Sequence, residues 1–158
     1  MSKEGKKMTE KRRITFQLER DEDGYPPSDH ERLWATPTHD GHYLIENIPF
    51  FIMGISSGDE VSVQPEAAAL LFDRLIKPSG ASTFRLAPSD LRMSASIRAD
   101  VEALGCSSEY NQNAGLIAVE VPGSISIQPF LTYITEKLAA GLIDVEEAAL
   151  RHDVDALR

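Results

Sequence analysis

The densest apolar run in the chain, Ile48 to Ile55, is broken by Pro49 and Gly54 and stops at Ser56. A membrane helix needs about 18 or more consecutive apolar residues, so this run cannot be one. Pro49 lacks the N–H a central strand must donate, and Gly54 and Gly58 favour a bend and a tight turn. The stretch Asn47 to Val61 therefore reads as the sharp loop of a small antiparallel barrel. Its apolar residues are expected to plug one end of the core, and Gly58-Asp59 to open the next strand.

The flanking segments fit that reading. Arg13 to Arg20 alternates, with Ile14, Phe16 and Leu18 on one face, as a half-buried strand does. Asp21 to Asp29 is turn chemistry, with Gly24 and the Pro26-Pro27 pair. Glu31–Pro37 and Tyr43–Ile48 read as strands joined at Asp40-Gly41, a dipeptide suited to a two-residue hairpin turn. Asp59 to Gln64 alternates again. Residues 65–76 stay open: Ala68, Leu71, Phe72 and Leu75 share a helical face, yet Leu70, Phe72 and Ile76 fit a strand with a break at Arg74. Ser82 to Leu86 reads as a strand.

The C-terminal third changes character. Leu91 to Leu104 and Ile127 to Ala140 are amphipathic, with Gly105 and Gly141 as their stops. Ser107–Gln112 and Leu116–Val121 read as strands between them, and Asp144 as the cap of a last short helix to about His152. The expected fold is α+β: an N-terminal antiparallel β meander or small barrel over 13–87, packed on a C-terminal β-α-β-β-α, split βαβ-like half over 88–152. The two halves are expected to share a core. Residues 1–12 and 153–158 are expected to be tails.

Charge is unevenly distributed. Residues 1–13 hold six Lys/Arg against two Glu, and the remaining 145 hold ten against 23 Asp/Glu. An acidic body repels phosphate, so nucleic acid is expected only through the basic tail. The tail has no apolar segment after its positive charges, and the single Cys106 has no partner for an internal disulfide. Both features point to a cytoplasmic protein.

Candidate sites follow from residue density. Glu19, Asp21, Glu22, Asp23, Asp29 and Glu31 form an acidic loop that also carries Arg20, Arg32 and a stiff Tyr25-Pro26-Pro27 surface. It reads as a solvated turn, a partner-binding loop or a hard-cation site, but its spacing is not that of an EF-hand. His39 and His42 flank the Asp40-Gly41 turn; two histidines fall short of the three or four ligands zinc needs. Cys106 follows a helix C-terminus, which disfavours a thiolate, so it reads as buried and inert. Trp34, Phe50 and Phe51 read chiefly as core, although an outward Phe50 or Phe51 would anchor a partner. No G-x-S-x-G, P-loop, G-x-G-x-x-G, H-E-x-x-H or C-x-x-C motif appears.

The stretches LERDEDGYPP (18–27), ERLWA (31–35), NIPFF (47–51), GISSGDEV (54–61), KPSGAST (77–83), LGCSSEY (104–110), LIAVEVP (116–122) and GLIDVEEA (141–148) follow one another along the chain. Together, in that order, they resemble one bacterial family, the domain of unknown function family 4265. The resemblance implies one family domain over about 12–150 and no activity. It also favours a strand over 69–77, leading into the Ser-Gly-x-Ser-Thr turn, although the Ala67-Ala68-Ala69 run departs from the family's pattern.

The leading expectation is a non-enzymatic protein-binding module that meets a basic protein partner with its acidic surface, in the manner of an immunity protein or antitoxin. The partner-binding residues would be Asp21, Glu22, Asp23, Tyr25, Asp29, Glu31, Phe50, Phe51 and Asp59. No catalytic residue, metal or cofactor is assigned. The alternative is a small-molecule-binding protein or an undescribed enzyme, with a pocket between the halves lined by Trp34, Phe50 and Tyr110.

Overall fold

In the computed structural model, which describes residues 10–154, the chain divides at Ser79/Gly80 into two units. The first contains β1 (Arg12–Gln17), β2 (His30–Pro37), β3 (Tyr43–Ile45), β4 (Glu60–Glu66) and β5 (Ala69–Lys77). These strands pair in sequence order as an antiparallel meander. The ring closes where β5 runs parallel to β1, with Ile14 opposite Leu70 and Thr15 opposite Leu71. Alternation sends Ile14, Phe16, Leu33, Ala35, Ile45 and Val61 inward, where they form one buried cluster with Ile55 from the apolar loop. Phe16 stacks on Phe72 with ring centroids 4.7 Å apart.

The segment left open between helix and strand is strand. Ala67, at φ +53°, makes the turn between β4 and β5. The helical impression has a local cause. The β4–β5 register slips between Ser62 and Val63, so Asp73 has no opposite residue, and again between Glu60 and Val61. The inward residues Leu70, Phe72 and Leu75 are thus spaced by two and then three positions, and the step of three imitates a helix.

The hairpin after β2 also differs from expectation. Thr38 N–H donates to the His42 carbonyl (2.8 Å), so three residues lie in the loop rather than two, with Gly41 at φ +79°. His42 therefore lies opposite Thr38, and His39 sits in the loop. β3 ends at Ile45 rather than Ile48, because the backbone then turns into the apolar loop.

The second unit contains β6 (Ser82–Pro88), α1 (Ser94–Ala103), β7 (Ser107–Asn111), β8 (Leu116–Val121), α2 (Gln128–Ala139) and β9 (Ile143–Ala149). A single 3₁₀ turn, Leu91–Met93, leads into α1, with Asp90 accepting the Arg92 N–H. The sheet order is β7-β8-β6-β9, and every pair is antiparallel. Phe84, Leu86, Ile117, Val119 and Val121 from the strands pack with Ile97 and Val101 of α1 and Phe130 and Ile134 of α2.

Two expectations are corrected here. β6 was assigned to the first half, yet it pairs with β8 and β9, so the second unit begins near residue 80 rather than 88. Residues 145–152 were expected to be helical, yet 143–149 form β9. Glu146, Glu147 and the alanines favour helix, but Ile143 and Val145 alternate toward the core and the whole segment pairs along β6. Tertiary pairing overrides a propensity worth only tenths of a kcal/mol per residue. Each unit has its own buried cluster. Of the expected tails, Arg12 already belongs to β1, and residues 1–9 and 155–158 lie outside the described residues. No described helix is long and apolar enough to cross a membrane.

Candidate functional site

The turn between β1 and β2 is closed by the Leu18 N–H, which donates to the Asp29 carbonyl (2.8 Å). Within it, the Asp21 carboxylate accepts the backbone N–H groups of Asp23 (2.9 Å) and Tyr25 (3.0 Å). Asp21 is thereby occupied in shaping the turn, as short acidic side chains often are. Gly24, at φ +78°, makes the reversal that a side chain would resist. Arg20 meets Asp29 at 3.0 Å, which offsets that charge. Glu22 and Asp23 remain exposed at the tip. Pro26, after a cis peptide bond, is buried and roots the turn, while Tyr25 is 43% exposed.

Glu31 is not surface charge in the sense expected. It starts β2 half-buried, and its carboxylate accepts three consecutive backbone N–H groups: Phe50 (2.7 Å), Phe51 (3.1 Å) and Ile52 (2.9 Å). Those amides form a concave nest, and Glu31 fills it. Ile48, Pro49 and Ile55 are buried beside this nest, whereas Phe50 and Phe51 are only half-buried and Met53 is 53% exposed. The ring of Phe51 meets Tyr25 edge-on, with centroids 6.1 Å apart. The acidic turn and the phenylalanine loop, distant in sequence, thus make one surface: Glu22 and Asp23 at the tip, then Tyr25, Phe51 and Met53.

Asp59 does not belong to that surface. It is 0% exposed, and its carboxylate accepts the N–H groups of Ser56 (2.9 Å) and Ser79 (2.8 Å). An acid in a Gly-Asp pair reads as turn-tip charge, but this one points back under its own turn.

Trp34 departs from its expected core position. Alternation along β2 turns it outward; it is 41% exposed, and the Arg13 guanidinium lies 4.6 Å from its ring centroid. Its register was legible, since Leu33 and Ala35 flank it, but the bulk of the side chain favoured burial. His42 pairs with Glu60 at 2.8 Å, and His39 is exposed. Among the described residues, no group of three or more His, Cys, Asp or Glu is placed to hold a metal ion.

One serine–histidine contact invites a catalytic reading. The Ser82 hydroxyl lies 2.7 Å from His152 Nδ1. His152 Nε2 faces the carbonyls of Pro122 (2.9 Å) and Ile125 (3.1 Å), so it must carry the proton, and Nδ1 accepts from Ser82. Ser82 Oγ in turn accepts the Arg151 N–H (2.8 Å), and Ser82 is 0% exposed. The hydroxyl is sealed from solvent, and the cluster ties the segment after β9 to the start of β6.

Cys106 is buried in the second unit's core. Burial, with a smaller contribution from the Glu120 carboxylate, pushes its thiol up to about 11 from an ordinary value of 9.0. Two results are expected. Native protein at neutral pH should react far more slowly with a thiol reagent than protein in denaturant. Between pH 9 and 11 the unfolded chain holds fewer protons on this group than the folded one, so its contribution to stability should fall as pH rises through that window. Denaturant midpoints of the wild type and of Cys106→Ala across that range measure it: the slope with pH should be smaller in the variant.

The family described as domain of unknown function (DUF4265) matches residues 31–145. No curated protein is significantly similar in sequence. A crystal structure of a hypothetical protein from Neisseria gonorrhoeae is similar with a TM-score of 0.73 at 24% identity, covering 91% of this chain and 98% of that one. That likeness is one of fold.

Proposed function

From the premise that this chain belongs to the DUF4265 family, which carries no assigned activity, we propose that it is a protein-binding module taking a basic partner on the Tyr25–Phe51 surface. The observation that carries this reading is the edge-on contact of Tyr25 with Phe51. It joins exposed carboxylates to exposed apolar groups on a surface fixed by Glu31 and Pro26. Aromatic anchors beside charge are what a specific protein contact needs: rings for buried area, acids for steering and register. The partner would offer Lys/Arg opposite Glu22 and Asp23 and an apolar side chain over Phe51 and Met53. An immunity- or antitoxin-like protein capping a basic toxin is one form of this reading, and a cytoplasmic setting accords with the free thiol of Cys106. The strand order β7-β8-β6-β9 with two helices supports reading the second unit as a split βαβ sandwich.

The test is affinity purification of tagged protein from its native cell, beside the charge-reversed variant Glu22→Lys/Asp23→Lys. A basic protein held in stoichiometric amount at low salt, lost at high salt and lost with the variant is the expected result. Retention of the same protein by the variant, or an empty eluate, would refute the reading.

A further inference from the structure

Another face of the barrel has the opposite chemistry. Because β1 and β2 alternate, one side of each is core and the other faces out, and the register aligns the outward residues in pairs. Arg13 lies opposite Trp34, Thr15 opposite Arg32, and Gln17 opposite His30. Arg13, Gln17, His30, Arg32 and Trp34 are all exposed. Arg32 makes no ion pair or side-chain hydrogen bond among the described residues, and Arg13 is engaged with the Trp34 ring. The acids at the margin are occupied: Glu46 accepts the Thr36 hydroxyl (2.8 Å) and meets Lys11 (3.5 Å), and Asp29 meets Arg20 (3.0 Å). Along the same strands a groove of about 350 Å³ is lined by Thr15, Gln17, Asp29, His30, Arg32 and Leu71, with Asp29 paired to Arg20. The strand is pinned at Trp34, whose backbone N–H donates to Asn47 Oδ1 (2.8 Å) and whose backbone carbonyl accepts the Glu46 N–H (2.8 Å). In sequence, Lys3, Lys6, Lys7 and Lys11 precede β1.

We infer that the outer face of β1 and β2 binds single-stranded nucleic acid: a base replaces the Arg13 guanidinium on the Trp34 ring, and Arg13, so released, and Arg32 hold the backbone phosphates. Three properties of the face select this occupant. The cations call for an anion although the chain as a whole is acidic. The exposed indole calls for a planar ring, and a base supplies one whatever its identity. Successive outward residues of a strand advance about 6.6 Å, comparable to one step of an extended single strand. A duplex hides its base faces, and an acidic peptide supplies charge without a ring. The acidic body opposes the phosphates, so binding depends on local contacts and is sharply salt-sensitive.

Trp34 is the sole tryptophan, so its emission reports this face directly. Full-length protein is titrated with short oligo(dT) and oligo(U), and separately with polyglutamate. The expected result is quenching by the oligonucleotides alone, with affinity falling on the order of tenfold between about 50 and 200 mM salt. In anisotropy with a labelled oligonucleotide, Trp34→Ala should weaken binding about tenfold or more. Arg32→Ala should weaken it and lower the magnitude of the salt slope by about 0.7. Arg32 is exposed, so that variant keeps the test intact if Trp34→Ala fails to fold. Absence of quenching at low salt, equal quenching by polyglutamate, or unchanged affinity and slope in Arg32→Ala would each overturn the inference.

Discussion

Alanine at position 31 is expected to cost about 3 kcal/mol of stability, because Glu31 is the acceptor for three neighbouring amides of another segment. A hydrogen bond to a charged group contributes about 1.5–3 kcal/mol, but three bonds on one carboxylate are not additive, and the half-buried site admits water to the orphaned amides. Those two discounts bring the sum down to about that of one or two bonds. Glu31→Gln should fall between. Oε1 serves Phe51 and Ile52 while Oε2 serves Phe50, so an amide keeps one acceptor and turns an NH₂ toward the remaining N–H groups. Urea unfolding of the three proteins measures the series. A loss under about 1 kcal/mol for alanine would mean that Ile48 and Ile55 hold the loop by packing alone. The same variant should impair capture of the basic partner, since Phe51 reaches Tyr25 only while the loop keeps this shape.

The second large effect is expected at Asp59, where alanine should cost about 3–4 kcal/mol. Both carboxylate oxygens accept backbone N–H groups, and the side chain is wholly buried. A donor left unsatisfied in the interior costs about 1–3 kcal/mol, and Ser56, itself 0% exposed, has little access to water in compensation, whereas Ser79 is exposed and its N–H loses less. Asparagine should recover part of the loss through its single carbonyl oxygen. Gly58 makes the turn possible: at φ +84°, a Cβ there would approach the Ser79 Cβ to 3.0 Å. Equilibrium unfolding in urea checks the prediction, and an alanine variant within about 1 kcal/mol of wild type would show that the turn does not need its carboxylate. Partner capture by a folded Asp59→Asn should be unchanged, which separates this residue from the Tyr25–Phe51 surface.

Local pattern carried much of the fold. The alternation Ile14-Phe16 and Leu33-Ala35, the broken run at Pro49 and Gly54, and the amphipathic faces of α1 and α2 are short-range signals, and each produced the expected element. Where local signals conflicted, pairing decided. The bulge at Asp73 made 70–75 imitate a helix, and the helix-favouring Glu and Ala of β9 were drawn into a sheet by β6.

The candidate site divides in the same way. Its ingredients were legible: the acids at 21–23, Tyr25, and the phenylalanines at 50 and 51. Their roles were not, because a carboxylate's use depends on which amides the fold brings to it. Asp21 shapes its own turn, Glu31 holds a loop about twenty positions away, and Asp59 is sealed inside, while Glu22 and Asp23 stay exposed at the tip. Sequence by itself determined the strands with clean alternation, the positions of most turns and how charge is apportioned, because those depend on neighbours in the chain. Tertiary structure alone decided that Tyr25 meets Phe51, that Trp34 faces outward beside Arg13, and where each unit's sheet begins, because contacts between distant segments are set by barrel closure and strand register.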